Sequence, residues 1–323
     1  MAAKAAGGAK EAEGAKEAGG EEPLSLKAPE TITKNRRLDL LPMSRLFACA
    51  VSEARLLGHA LYPWRRLLKI KETATPYGWG IGYHQNQNVL VKRRPNHRGP
   101  LDFYEVAGGL HATRIVGHVR RHTIGGTSPE NTHPFRFRQW MFAHHGTVSR
   151  FDTIRPWVIN SIPSFLKRSM RGDTDSEHLF HLFLAFLYDE GHLEDRKLPA
   201  EAAAQALRNT FHMVERFARD AGGDPSGLNV AVTNGRVMLV SSTTTPTYYT
   251  HFDGIYDCEL CRQVPDGWDE EPKRKDHEHL EGVVCFNDPP PDEDTDKLRK
   301  APENSVISMD ADMKVSVLDL DLG

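Results

Sequence analysis

Cysteine is scarce: four residues, Cys49, Cys258, Cys261 and Cys285, in a chain of 323. At this length that is too few for a disulfide framework, and reduced thiols are expected. No apolar run approaches the ~18 residues needed to span a bilayer, so no membrane association is expected. The N-terminus lacks the apolar core of a secretory leader. An excess of one charge sign is also missing, since 41 Lys and Arg face 44 Asp and Glu for a net charge of −3, with both signs mixed throughout. Such a surface predicts no nucleic-acid or polyanion partner. Together these absences predict a reduced, cytoplasmic protein.

What is present is the composition of an ordinary globule, with 39% hydrophobic and 8% aromatic residues. The length allows one large domain or two small ones. Residues 1–22 are almost entirely Ala, Gly, Lys and Glu, with little to bury, and the polar lead-in that follows contains prolines. Residues 1–42 are therefore expected to be a disordered tail, and 43–323 the folded domain.

Within that domain strands and helices are mixed. RLFACAV (45–51) has strand character, and Ser52 is placed to cap a helix running towards His59. Residues 79–83 and 88–92 read as a strand pair around a polar turn at 85–87. TRIVGHVR (113–120) and QWMFAH (139–144) are further strands. Thr174 with Glu177 forms a capping box, opening a helix apolar nearly all round that should lie deep between layers. Residues 199–220 form an amphipathic helix stopped at Gly222–Gly223. Strands then dominate, LNVAVT and RVMLVSS flanking the hairpin signal Asn234–Gly235. Many strands, several hairpins and a few helices predict an α+β domain of packed antiparallel sheets flanked by helices.

Four segments carry possible chemistry. Met43-Ser44-Arg45-Leu46-Phe47 opens the first strand. Gly117-His118-Val119-Arg120-Arg121-His122-Thr123 ends one in Arg and His, and an Arg fork suits a carboxylate. Phe142-Ala143-His144-His145-Gly146 stops at a glycine, where exposed backbone N–H groups suit an oxyanion. Gly172-Asp173-Thr174-Asp175-Ser176-Glu177 sets acids at a helix start, ordinarily a capping arrangement. Taken singly, each is an ordinary strand or helix end.

Taken in order, with GWGIGY (78–83) and ENTHPF (130–135), they resemble the class II glutamine amidotransferases. The likeness is greatest to the stand-alone branch that includes γ-glutamyl-peptide hydrolases of glutathione degradation and ergothioneine synthesis. That resemblance implies the four-layer αββα sandwich of N-terminal-nucleophile hydrolases. It also implies a nucleophile at Ser44 whose own α-amine is the base, the amine's pKa of roughly 8 letting it accept a proton near neutrality. Arg120 corresponds to the arginine that pairs with the substrate α-carboxylate, and Asp175 to the acid that holds its α-ammonium. Thr123 and His133 fall in the same substrate-binding motifs, and His145 with Gly146 in the oxyanion site. The implied ligand is glutamine or another γ-glutamyl compound, with no cofactor and no metal in the site. A separate synthetase or transferase subunit is a possible partner.

Two positions depart from the family pattern. Ser44 stands where cysteine is usual, and a hydroxyl depends on its base far more than a thiol does. His145 stands where asparagine is usual, and losing one oxyanion donor typically costs about 10²–10³ in rate. The pattern fits an altered amide hydrolase, or alternatively a regulatory protein that binds a γ-glutamyl ligand without turning it over. Ser44 is internal if translation starts at Met1, so its amine must be freed, either by a start at Met43 or by cleavage after it.

Cys258 and Cys261 form a CxxC pair with His277, His279 and Cys285 downstream. A second close-spaced pair is missing, so the expectation is unliganded thiols beside a charged surface loop.

Overall fold

The computed structural model describes residues 44–71, 75–120, 126–195, 197–263, 274–290 and 296–322. Residues 1–42, expected to be a tail, lie outside the described residues, as do Met43 and Thr123. In chain order the strands begin with β1 (Arg45–Val51), β2 (Lys69–Ile70), β3 (Tyr77–Gln85), β4 (Asn88–His97) and β5 (Leu101–Asp102). They continue with β6 (Arg114–Arg120), β7 (Phe135–Phe137), β8 (Trp140–His145), β9 (Asn229–Thr233) and β10 (Met238–Ser242). The last are β11 (Tyr248–Asp253), β12 (Glu281–Phe286), β13 (Arg299–Lys300), β14 (Ser305–Met309) and β15 (Val315–Asp319). The helices are α1 (Leu57–Leu61), α2 (Phe103–Ala107), α3 (Phe151–Asn160), α4 (Ser164–Lys167), α5 (Asp175–Asp189) and α6 (Ala200–Asp220).

Two sheets carry the domain, ordered β13-β11-β12-β1-β6-β3-β4 and β15-β14-β10-β9-β8-β7. Side chains alternate across a strand, so each sheet builds two cores. Leu46, Ala48 and Ala50 of β1 and Val116 of β6 meet Met141, Ala143, Ala231 and Ile307 between the sheets. Phe47, Cys49, Val51, Ile115 and Val119 point the other way and pack with Leu57, Leu61 and Phe103 of the small helices. Beyond the second sheet, Trp140, Phe142 and Val232 pack against Phe151, Phe180, Phe183 and Phe211 of α3, α5 and α6. The result is the four-layer αββα sandwich. Among the described residues no helix is long and apolar enough to cross a membrane.

The elements follow the sequence pattern, and several ends differ from it. The 85–87 turn forms with Asn86 and Gln87 both at positive φ. At the end of α6, Gly222 takes φ 70° and the Gly223 N–H returns to the Ala218 carbonyl at 2.8 Å, a Schellman-type stop. Ser52 does not cap a helix. Its hydroxyl accepts the Glu281 N–H at 3.0 Å, and Glu53 caps the helical turn before α1 instead. Thr174 caps α5, accepting the Glu177 N–H at 3.2 Å, but Glu177 does not close the box. Its carboxylate takes the N–H groups of Arg171 (2.9 Å) and Gly172 (2.6 Å), because the chain folds back over the helix start there. The β9–β10 ladder ends at the Thr233–Met238 pair, making a four-residue connection rather than two. The Asn234 carboxamide oxygen accepts from Arg236 and Val237 within it, which holds the wider turn closed.

Candidate active site at the head of β1

β1 and β6 are antiparallel, with Arg45 opposite Val119 and Leu46 opposite His118. Carried one residue further, this register sets Ser44 across from Arg120, whose other neighbour is Gly78 of β3. Opposed residues in an antiparallel pair share a face, and so do alternate residues. Leu46, Ala48 and Val116 belong to the core between the sheets, so Ser44, His118 and Arg120 have inner-face parity. Ser44 is half-buried and Arg120 buried.

The head of β1 is held by residues the sequence offered no motif for. The Leu46 N–H donates to Asn287 Oδ1 at 2.7 Å, the Leu46 carbonyl accepts the Asn287 N–H at 3.1 Å, and Arg45 pairs with Asp288 at 3.2 Å. Burial pushes the Asp288 carboxyl up to about 6, against the pull of Arg45. Both residues directly follow β12, the strand paired with β1. A polar pair leaving a strand gives no hint of which neighbour it braces.

Arg120 donates to the Gly126 carbonyl at 3.4 Å. Burial lowers its pKa from the usual guanidinium value, while the carboxylates of Asp175 and Asp173 act in the opposite direction. Asp175, 55 positions on, is thus close enough to couple to it electrostatically. Asp175 opens α5 and is buried, with Oδ1 accepting the Ser176 N–H (2.8 Å) and Oδ2 the Val148 N–H (2.9 Å). Asn131 ties the two approaches together, donating to Gly126 O (3.1 Å) and Asp173 Oδ1 (2.7 Å) and accepting the Asp173 N–H (3.0 Å).

The two adjacent histidines of β8 have separate surroundings. Trp140 and Phe142 face the helices and Met141 and Ala143 face the first sheet, so the pleat turns His144 outward and His145 inward. His144 Nε2–H donates to the Gly227 carbonyl at 2.7 Å, which leaves Nδ1 to accept from the Ser176 hydroxyl at 2.9 Å. His145, on the inner face, keeps Nδ1 without a hydrogen bond among the described residues. Burial, reinforced by His144, lowers its pKa to about 4, so it is neutral at pH 7 and carries one N–H. His118 and His133 lie with ring centroids 4.2 Å apart, and burial depresses both well below the usual imidazole range. With these imidazoles neutral, the positive charge on the cluster comes from guanidinium groups, Arg120 and, beside His133, Arg93.

Glycine is required at two points around it. The inner face of β3 at Gly80 is so close to the 131–134 segment that a Cβ would meet the His133 carbonyl at 2.1 Å. Gly146 has φ 146°, and a Cβ there would lie 2.1 Å from the Gly227 carbonyl oxygen. Ser44 and Arg120 thus share the inner face of the first sheet, His145 has inner-face parity on the second, and Asp175 couples to Arg120. Gly146 turns the chain beside His145, and His133 stacks on His118. Thr123 lies outside the described residues. A cavity of about 900 Å³ opens at the other end of β3, near His84, Asn86, Arg138 and Asn234, away from Ser44. Among the described residues, none of these site side chains belongs to a metal-ligand group. Such a group forms elsewhere, from His59, Cys258, Cys261 and His277.

The chain resembles several known proteins. "Probable glutamine amidotransferase DUG3" of Saccharomyces cerevisiae is 33% identical over 139 residues, 41% of this chain and 39% of its own. A "putative glutamine amidotransferase" of Haemophilus influenzae is 24% identical over 179 residues, 53% of each chain. The chain thus spans between two fifths and about half of the length of these relatives. The crystal structure of a "predicted glutamine amidotransferase" from Pseudomonas aeruginosa superposes with a TM-score of 0.50 at 16% identity. That likeness covers 84% of this chain and 98% of the other, and concerns the fold alone. The family model "Glutamine amidotransferases class-II" matches residues 43–250, more than half of the chain and beginning beside Ser44. The chain belongs to the class II glutamine amidotransferase family.

Proposed function

We propose that the chain hydrolyses the side-chain amide of glutamine or of a γ-glutamyl compound, with Ser44 as nucleophile once its α-amine is free. The observation that carries this reading is the β1–β6 register, which sets Ser44 across from Arg120 while Asp175 couples electrostatically to that arginine. A cation and an anion so placed suit the α-carboxylate and α-ammonium of a glutamyl head, leaving its side chain directed at the strand end.

In the acylation step the Ser44 Oγ attacks the amide carbon, and its proton passes to the Ser44 α-amine. Backbone N–H at Gly146 and the single N–H of His145 are the donors available to the resulting oxyanion. Collapse breaks the C–N bond, and the α-ammonium returns the proton to the departing ammonia or amine. Water then cleaves the Ser44 ester by the same route, releasing glutamate. Ammonia made this way is available to a separate synthetase or transferase subunit.

Protein beginning at Ser44 should release glutamate from glutamine or γ-glutamyl peptides, and Ser44→Ala should abolish the release. Ser44→Cys, restoring the usual thiol, should raise it. If neither the serine nor the cysteine form releases glutamate from any γ-glutamyl compound, hydrolysis is refuted.

A second reading rests on the two altered positions at the reacting centre beside an intact Arg120 and Asp175. In it the chain binds a γ-glutamyl ligand and does not turn it over. It expects ligand-induced thermal stabilisation that survives Ser44→Ala and disappears in Arg120→Ala. Equal stabilisation of the Arg120→Ala protein would count against it.

A further inference from the structure

We propose that His59, Cys258, Cys261 and His277 together bind one structural zinc ion. One ligand atom from each comes within 4.8 Å of the others. His59 Nδ1 lies 3.3 Å from Cys258 Sγ and 3.4 Å from Cys261 Sγ, and Cys261 Sγ lies 3.7 Å from His277 Nε2. A tetrahedral zinc with Zn–S near 2.3 Å and Zn–N near 2.0 Å sets sulfur and nitrogen about 3.5 Å apart along an edge. The observed separations bracket that value, and the two imidazoles adjoin with centroids 4.5 Å apart.

The four side chains come from three parts of the chain. His59 sits on α1, directly after β1, while Cys258, Cys261 and His277 lie in the long connection between β11 and β12. That connection is framed before any ion is considered. Arg262 N–H donates to the Cys258 carbonyl at 3.2 Å, closing the CxxC turn. The His277 carbonyl accepts the N–H groups of Ile255 (2.7 Å) and Leu280 (3.2 Å), and Arg65 pairs with Glu259 at 3.1 Å. The described residues of the connection carry little apolar substance. Among them, those buried are Cys261, His277 and Leu280. A segment with so little core needs a staple, and a metal is one of the few available.

Chemistry selects the ion. Two thiolates and two neutral imidazoles balance a divalent cation, so the complex is uncharged and tolerates burial of His59, Cys261 and His277. Mixed sulfur and nitrogen ligands in tetrahedral order favour zinc over calcium or magnesium, which take oxygen. A two-iron cluster held by two Cys and two His places its thiolates and imidazoles on different irons, and ligand atoms this close leave room for a single ion. Four protein ligands also close the shell, which marks a structural rather than a catalytic role. The site follows the tail of β1 and Ser44 precedes its head, about 20 Å of strand between them. The ion therefore takes no part in amide hydrolysis, and the proposal does not depend on that activity.

The test is elemental analysis of the full chain purified without chelators or a metal-affinity column. About one zinc per chain is expected, falling at least tenfold in Cys258→Ser and in His59→Ala. His279→Ala, which alters an exposed histidine of the same connection outside the cluster, should keep its zinc. Replacing zinc with cobalt in the unmodified protein should give tetrahedral ligand-field bands and thiolate-to-cobalt charge transfer, a readout that stands even if a variant fails to fold. Chelation should expose the 254–280 connection to proteolysis. Wild-type protein holding under a tenth of an ion per chain after dialysis against zinc overturns the proposal. Cobalt bound without thiolate bands, or iron with sulfide in place of zinc, does the same.

Discussion

Replacing Gly146 with alanine tests whether the turn after β8 is as constrained as its geometry indicates. The backbone there has φ 146°, a region essentially closed to L side chains, so the new residue would cost about 1–3 kcal/mol in strain. The added Cβ also meets the Gly227 carbonyl oxygen at 2.1 Å, so the 146 and 227 segments must separate. Two bonds depend on their contact: Gly227 N–H to Thr147 O at 3.0 Å, and His144 Nε2–H to Gly227 O at 2.7 Å. At roughly 0.5–1.5 kcal/mol each, losing both brings the expected destabilisation to about 2–6 kcal/mol. For a domain of this size that corresponds to a fall in Tm of about 3–10 °C. The assay is thermal and denaturant unfolding beside Gly109→Ala, where an added Cβ meets nothing within 4 Å. The control should be neutral or slightly stabilising. A Gly146→Ala protein within about 0.5 kcal/mol of wild type would refute the account of this turn.

Further expectations concern charge and the loops that carry it. His84, His145 and His181 are each lowered by burial from 6.5 to about 4, a shift of about 3 kcal/mol apiece. The unfolded chain takes up these protons first. Their contribution is therefore complete above pH 6.5 and lost as pH falls towards 4, so denaturant stability should drop steeply across that window. A flat profile between pH 7 and 4 would contradict the burial of these rings. His145→Asn should flatten part of the slope, and in an active protein it should raise turnover by restoring an amide donor. Asn131→Ala removes three hydrogen bonds linking the 126 and 173 segments, at about 2–4 kcal/mol, and should weaken binding of a γ-glutamyl ligand. Unchanged affinity in isothermal titration would show that the link does not position Arg120 and Asp175.

How much of this was legible in the sequence depended on the range of the forces involved. β1, β6 and β8 follow from local alternation of apolar residues, and α6 from its apolar stripe and its glycine stop. The ordered motifs carried the family and its αββα layers, since six short matches in sequence are specific where each alone is not. End contacts were less legible. Ser52 is a good cap by residue type, yet the nearness of Glu281 in another strand gave its hydroxyl a different partner. Glu177 has the spacing of a capping box, but the chain doubled back and presented two closer N–H groups. Asn287 and Asp288, which brace the head of β1, had no local signature because their partners lie about 240 positions away. His59 was invisible as a ligand for the same reason. It is 199 residues from Cys258, and spacing rules for metal sites do not reach that far.

The pleat of β8 separates two neighbouring histidines that the sequence presents as twins. His144 is bolted between Ser176 and Gly227, so its replacement would loosen the second layer against α5. His145 keeps Nδ1 without a hydrogen bond among the described residues and has the parity of the inner face, the side on which we propose that the chemistry takes place. Mutation at 145 can therefore retune the chemistry while the scaffold stays intact. A different side chain can therefore stand at 145 without the domain losing its architecture.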